Sequence, residues 1–331
     1  MWSERMARRL VWMGSAMAAA GLLVSTVQAP AEAAPRGAHV VAEKVRSIHR
    51  VDLMIKSPAM ADPVPVTVLS PGGTAPRPTV YLLDGADGGA TVSDWITKGG
   101  AERFFAGRNV NVVLPAGGAG SFYTNWVARD QKLGKPQWET FLTDDLPTLI
   151  DSRFHGSGNN AVMGLSMGGQ SAFALATRNP KLYRGVASMS GCPDITGDAN
   201  VAYVRATVAK SGADPNKMWG APGSANWRAH DPASNLNALR GKALFLASGT
   251  GAVGPQDLTQ KRDPKDGPED VQIAAGSGLE MGAYRCSVEF AARLQSKNIP
   301  FTSGFRLIGT HSWTYWKQDL PRAWDAISPS L

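Results

Sequence analysis

Cysteine is scarce in this chain: two residues, Cys192 and Cys286, in 331. So few exclude a small disulfide-stapled scaffold and a cysteine-rich zinc module. Histidine is scarce too, with five residues (His39, His49, His155, His230 and His311), and no His/Cys group has metal-ligand spacing. No Gly-rich loop followed by Lys is present to cradle a phosphate, so the sequence asks for no metal and no organic cofactor. Charged side chains are only 18% of the chain, but 43% are apolar, which provides a core and excludes a disordered polymer. The 34 basic and 27 acidic residues leave a net charge of +7 without a basic stripe; Lys261-Arg262-Asp263-Pro264-Lys265-Asp266, for example, alternates in sign. A nucleic-acid partner is therefore not expected, whereas a mild attraction to anionic polymers or envelope surfaces is. Self-similarity at a fixed period is missing, which excludes a repeat architecture.

Long apolar runs are limited to one. Arg5, Arg8 and Arg9 precede an uncharged stretch over 10–31, and Ala31-Glu32-Ala33 follows as an A-x-A cleavage pattern. This reads as a signal peptide over 1–33 and a secreted or envelope-associated protein, with an uncleaved anchor as the alternative. Export favours a bond between Cys192 and Cys286, for which one connectivity exists; two separately buried thiols are the other reading.

From residue 49 onward, short apolar runs alternate with helical stretches. Strands are expected over 51–55, 64–69, 80–83, 110–114, 161–165, 185–189, 243–247 and 304–308, and helices over 138–154, 167–178, 280–297 and 313–327. Strands alternating with helices imply an α/β fold, a mostly parallel sheet covered on both faces. No linker divides the chain, so 34–331 is expected to form one domain. The irregular stretch over 193–239 is expected to run over the edge of the sheet where α/β folds place ligands.

The residues that carry chemistry begin at Gly164-Leu165-Ser166-Met167-Gly168, a G-x-S-x-G motif between an expected strand and an expected helix. That context is the nucleophile elbow of an α/β-hydrolase, with the serine exposed on a sharp turn and the helix N-terminus facing any developing oxyanion. Chain order Ser, acid, His leaves His230 and His311 as bases. His311 follows the last expected strand and is the better placed, while His230 reads as structural. Spacing alone leaves the acid open between Asp257, after the strand at 243–247, and Glu280.

Several segments together resemble the antigen 85 family of actinobacterial mycolyltransferases: Val80-Tyr81-Leu82-Leu83-Asp84-Gly85, Gly120-Ser121-Phe122-Tyr123-Thr124-Asn125-Trp126, Trp138-Glu139-Thr140-Phe141-Leu142, Leu279-Glu280 and Gly309-Thr310-His311-Ser312-Trp313. The resemblance covers nearly all of the chain after the leader and implies a single-domain α/β-hydrolase. Its Leu-Glu pair selects Glu280 as the acid, giving Ser166, Glu280 and His311. It also implies an oxyanion hole from the N–H groups of Ala86 and Met167, and sugar contacts from Asp84, Asp194, Ser312 and Trp313, with Trp126 nearby. Plain structural roles compete with these: Trp126, Trp313 and Trp316 as core aromatics, Asp84 as a turn cap.

Three departures from the mycobacterial pattern stand out. Asp87 occupies the place of a cationic sugar-site residue, the paired cysteines before the Trp-Glu-Thr-Phe-Leu segment are replaced by Arg129 to Lys135, and the segment over 251–278 is longer. The implied activity is transfer of mycolyl or other long acyl groups from trehalose mono-acyl esters to sugar acceptors such as arabinogalactan, at or loosely bound to the cell envelope. A secreted carboxylesterase is one alternative. A non-catalytic glycan- or matrix-binding protein is another, since the family includes members without a working triad.

Overall fold

Runs of β-branched and apolar residues broken by Gly, Pro and polar turns set the framework in the computed structural model, which describes residues 37–331. The expected leader over 1–33 lies outside the described residues. The strands are β1 (His39–Ser47), β2 (Arg50–Lys56), β3 (Val64–Leu69), β4 (Arg77–Leu83), β5 (Asn111–Pro115), β6 (Gly156–Leu165), β7 (Tyr183–Met189), β8 (Ala243–Ala247) and β9 (Thr302–Ser303). Among the described residues they form one nine-stranded sheet in the order β1-β2-β3-β5-β4-β6-β7-β8-β9. Neighbours from β1 to β5 in that order run antiparallel, and those from β5 to β9 run parallel.

The central strands are buried on both faces, as their near-continuous apolar runs require. Tyr81, Leu83, Val113 and Val162 point into one core layer with Phe173 and Phe290. Val80, Leu82, Val112 and Met163 point into the other with Trp95, Trp316 and Leu320. The helices that cover these layers and matter for the site are α1 (Leu146–Phe154), α2 (Met167–Arg178), α3 (Asp198–Lys210), α4 (Glu269–Ser296) and α5 (Trp313–Ile327). Every parallel strand that borders the site ends in a polar residue: Asp84 after β4, Ser166 after β6, Ser190 after β7 and Ser248 after β8. The carboxyl ends of a parallel sheet are where such folds gather their chemistry.

Four expectations change. Strand β1 was not foreseen because it is a largely exposed edge strand, Glu43, Lys44 and Arg46 included, and carries no core-facing period. The strand expected over 304–308 is only Thr302–Ser303, followed by a single bridge from Gly249 to Arg306. Beyond it Leu307 is 86% exposed, so that apolar run is surface. The helix expected over 138–154 is divided by a wider π turn at Phe141–Asp145, just ahead of Pro147, which has no N–H to continue the ladder. Helix α4 starts at Glu269, eleven residues earlier than expected, because Ala274-Ala275-Gly276-Ser277-Gly278 reads as a loop but is helical here.

Candidate active site

Ser166 sits between the end of β6 and the start of α2 with φ 52° and ψ −124°. A non-glycine residue in that region is strained by roughly 1–3 kcal/mol and needs support from its surroundings. The support is close backbone packing that only glycine permits. A Cβ on Gly164 would fall 2.2 Å from the Gly168 carbonyl oxygen, and one on Gly168 would fall 2.4 Å from that of Asp84. The Ser166 N–H donates to the Met189 carbonyl at 2.8 Å, which ties the turn to β7.

His311 reaches this serine from the loop before α5. Its Nε2 lies 2.8 Å from Ser166 Oγ, and its Nδ1 lies 2.8 Å from Glu280 Oε2. Glu280 is wholly buried in the middle of α4, so it does not serve the start of a helix. Its other oxygen accepts from Ser190 Oγ at 2.8 Å, Ser248 Oγ at 2.9 Å and the Gly249 N–H at 2.6 Å. Trp316 Nε1 in turn donates to Ser190 Oγ at 2.9 Å, and the indole stands edge-on to the His311 ring. A buried carboxylate needs such a full set of donors. The arrangement fixes the imidazole with one nitrogen toward the acid and the other toward the hydroxyl, the geometry of an activated serine.

Two backbone amides near the serine have no partner among the described residues. Met167 is the first residue of α2, so its N–H is one of the helix's unpaired first-turn donors. Ala86 lies in the turn closed by the Gly88 N–H to the Gly85 carbonyl, and its own N–H has no partner among the described residues. That turn presses on the elbow: a Cβ on Gly85 would be 3.4 Å from Ser166 Cβ.

The other residues singled out by resemblance divide. Asp84 is wholly buried; its carboxylate accepts from Ser93 Oγ at 3.0 Å and the Asp94 N–H at 3.2 Å, and it does not open on the site. Burial pushes its pKa up to about 7, partly offset by Ser93. Asp194 is also buried, occupied by Thr196 and, at 2.8 Å, by Arg293. Trp126 is a core aromatic whose indole donates to the Ser121 carbonyl. In this structure the polar groups of all three have internal partners. Asp87 is exposed and paired with Lys210 of α3 at 2.5 Å. Ser312 precedes α5, and its buried hydroxyl lacks a partner among the described residues. Trp313 is half-buried between Trp95 and Trp316. Cys192 and Cys286 are joined in a disulfide.

Asp257, the alternative acid, is buried beside the histidine turn but not on the imidazole. It accepts from the Thr310 hydroxyl, from Tyr315 Oη at 2.7 Å and from the Gly254 N–H at 2.8 Å. His230 stacks on Trp219 and holds the Asn226 carbonyl, a structural placement. Sequence reasoning missed Ser190, Ser248 and Gly249 around Glu280. The available signal for the two serines was their position directly after β7 and β8.

A family model described as "Putative esterase" matches residues 57–327. The MPT51/MPB51 antigen of Mycobacterium tuberculosis is 41% identical over 184 residues, 55% of this chain and 58% of that protein, so the match spans under two thirds of the antigen's length. Diacylglycerol acyltransferase/mycolyltransferase Ag85C of Mycobacterium avium is 30% identical over 275 residues, 81% of this chain and 74% of that protein. The crystal structure of Mycobacterium tuberculosis MPT51 (FbpC1) superposes with a TM-score of 0.70 at 30% identity, covering 84% of this chain and 98% of that one. An S-formylglutathione hydrolase from Agrobacterium tumefaciens, at 18% identity and a TM-score of 0.60, shares the α/β-hydrolase fold. The chain belongs to this esterase family, and within it to the antigen 85 family.

Proposed function

We propose that the protein is an exported serine acyltransferase that moves long acyl groups, mycolyl among them, from trehalose esters to sugar hydroxyls of the cell envelope. The carrying observation is the unbroken chain from Ser166 Oγ through His311 to Glu280, with both links at 2.8 Å. Ser166 Oγ attacks the ester carbonyl carbon while His311 Nε2 takes its proton, and Glu280 stabilises the resulting imidazolium. The Ala86 and Met167 N–H groups hold the oxyanion; one such donor is commonly worth about 3 kcal/mol of barrier. Collapse of the tetrahedral intermediate expels the carrier alcohol, which takes the proton from His311, and leaves an acyl-Ser166 ester. An acceptor hydroxyl then gives its proton to His311, attacks the acyl carbon and restores the serine. Family membership supports acyl-ester chemistry, and the leader pattern over 1–33 supports export.

A carboxylesterase would use the same residues with water as the acceptor. Incubating the purified protein with a trehalose acyl monoester separates the two readings: diester with free trehalose is expected, and free acid alone would assign hydrolysis. Ser166→Ala should abolish both products while the fold survives. An alanine variant that still turned over would remove Ser166 as the nucleophile.

A further inference from the structure

Glu280 has a second buried carboxylate for a neighbour, Asp319 of α5, which is wholly buried too. The guanidinium of Arg306, shortly after β9, reaches both. Its Nη1 donates to the two oxygens of Asp319, while its Nη2 stops 3.9 Å from Glu280 Oε1. The Arg306 side chain is 13% exposed, and its Nε and Nη2 have no hydrogen-bond partner among the described residues. The backbone here is held independently of that side chain: the Arg306 N–H donates to the Ser248 carbonyl at 3.0 Å, and Ser248 Oγ donates to Glu280.

A buried cation next to a buried carboxylate ordinarily closes on it. Were Arg306 to do so, Glu280 would share its charge with a permanent cation, and an imidazolium forming on His311 would lose part of its stabilisation. Asp319 takes the guanidinium instead. Glu280 keeps neutral donors on Oε1, from Ser190, Ser248 and Gly249, and His311 on Oε2. We propose that Arg306 and Asp319 are positioning residues for acylation, a balanced pair: Asp319 keeps Arg306 from neutralising Glu280, and Arg306 offsets the repulsion between the two buried carboxylates. The proposal rests on Ser166, His311 and Glu280 being the reacting set.

Other groups nearby leave this balance in place. Arg322 lies 3.7 Å from Asp319 but is half-exposed, where solvent screens its charge. Asp257, with Arg262 at 3.9 Å, is separated from Arg306 by the Tyr315 ring, whose centroid is 5.2 Å from the guanidinium carbon. The Tyr315 and Tyr203 phenols are raised by burial and stay protonated. Burial pushes Asp319 up to about 6 against the pull of Arg306, so it is ionised at neutral pH and above.

Attack by Ser166 needs an uncharged His311, so the acid limb of the acylation rate follows the imidazole pKa. Losing the Arg306 charge leaves two uncompensated carboxylates, which favour the imidazolium and move the limb to higher pH. Losing the Asp319 charge frees Arg306 to draw on Glu280, which disfavours the imidazolium and moves the limb to lower pH. The test labels Ser166 of the whole protein with a fluorophosphonate across pH, read by mass spectrometry. Arg306→Gln should raise the midpoint and Asp319→Asn should lower it, each by about half a pH unit or more. Asp319→Asn should also cut the plateau rate roughly 3–10-fold, the same lost stabilisation of the imidazolium read as a barrier. Its limb should be shallower, because residue 319 no longer titrates there. Arg306→Lys keeps the charge and should hold the midpoint within about 0.3 unit of the parent. Circular dichroism checks each fold, and Arg306→Met replaces the Gln form if that does not fold. Removing a whole buried pair is better tolerated than breaking it, so the double variant Arg306→Gln/Asp319→Asn completes the set, with its midpoint expected within about 0.3 unit of the parent. Single-variant shifts of the same sign, or lower rates with no shift, would overturn the pair as positioning residues. A double-variant midpoint displaced by more than about half a unit would overturn the balance as well. Failure of the parent to label at Ser166 would remove the nucleophile reading, and the role of the pair with it.

Discussion

Two buried carboxylates flank the His311 turn, and the atoms they meet separate their roles. Glu280 Oε2 contacts Nδ1 of the imidazole, whereas Asp257 contacts the neighbouring Thr310 hydroxyl, Tyr315 Oη and the Gly254 N–H. Replacing Glu280 by Gln presents an amide to a ring nitrogen that needs an acceptor and removes the charge that balances the imidazolium. In a serine protease the comparable change lowers turnover ~10⁴-fold. With Ser190, Ser248 and Gly249 still in place to orient the amide oxygen, Glu280→Gln should slow acylation by at least ~10²-fold. Asp257→Asn should act differently. It puts an NH₂ into a pocket lined by donors, so the fold should lose about 1–3 kcal/mol while acylation falls by less than about tenfold. Single-turnover acylation and urea unfolding of both variants decide the matter. A larger rate loss for Asp257→Asn than for Glu280→Gln would return the acid to Asp257.

The loop that follows β4 carries the Ala86 amide proposed for the oxyanion hole, and its anchor is Asp84. Because Asp84 titrates near 7 in the folded chain, against a reference of 3.8, the folded state holds a proton that the unfolded state gives up at lower pH. Its contribution is fully present below about pH 4 and is lost as the pH rises toward 7, on the order of 4 kcal/mol in all. Asp84→Asn should flatten the pH dependence of unfolding free energy over that window, measured by urea titration at several pH values. An unchanged slope would shift the dependence to other buried carboxyls, such as Asp319, which burial pushes up to about 6 against the pull of Arg306. At this scale much of the architecture was readable in the sequence. The elbow was legible because strand, turn and helix are contiguous, so that Gly164, Ser166 and Gly168 report on one local geometry. The mid-helix position of Glu280 was not, since the small residues before it look like a loop until they pack, and choosing it over Asp257 required the family resemblance. Ser190 and Ser248 were invisible for a related reason: each comes from a different segment, and only the fold brings them to one place. Asp84, Asp194 and Trp126 show the converse, residues at recognisable positions whose polar groups are consumed inside the fold.

Across the whole molecule, the disulfide joins the segment after β7 to the helix that carries the acid. Cys192 and Cys286 are 94 residues apart in sequence, and the loop they close contains α3 and β8. Beside the bond, Ser287 Oγ donates to the Gly191 carbonyl at 2.9 Å, and about two turns earlier in α4 Glu280 takes its hydrogen bond from Ser190. The crosslink thus fastens the same two elements that hold the acid against the end of β7. Thiol titration of the denatured, unreduced protein should find no free cysteine, and reduction should release two. Closing a loop of about this length restricts the unfolded chain by roughly 4–5 kcal/mol in the chain-entropy account, so reduction should lower the unfolding free energy by an amount of that order. Far below the unfolding temperature the noncovalent contacts around Glu280 persist, and the acylation rate of the reduced protein should stay within about threefold of the oxidised one, since crosslinks of this kind act mainly on the unfolded state. Two thiols titrating before reduction would show that the cysteines are separate buried side chains. A rate that collapsed on reduction, with the fold still intact by circular dichroism, would instead make the bond part of the support of Glu280 in the folded state.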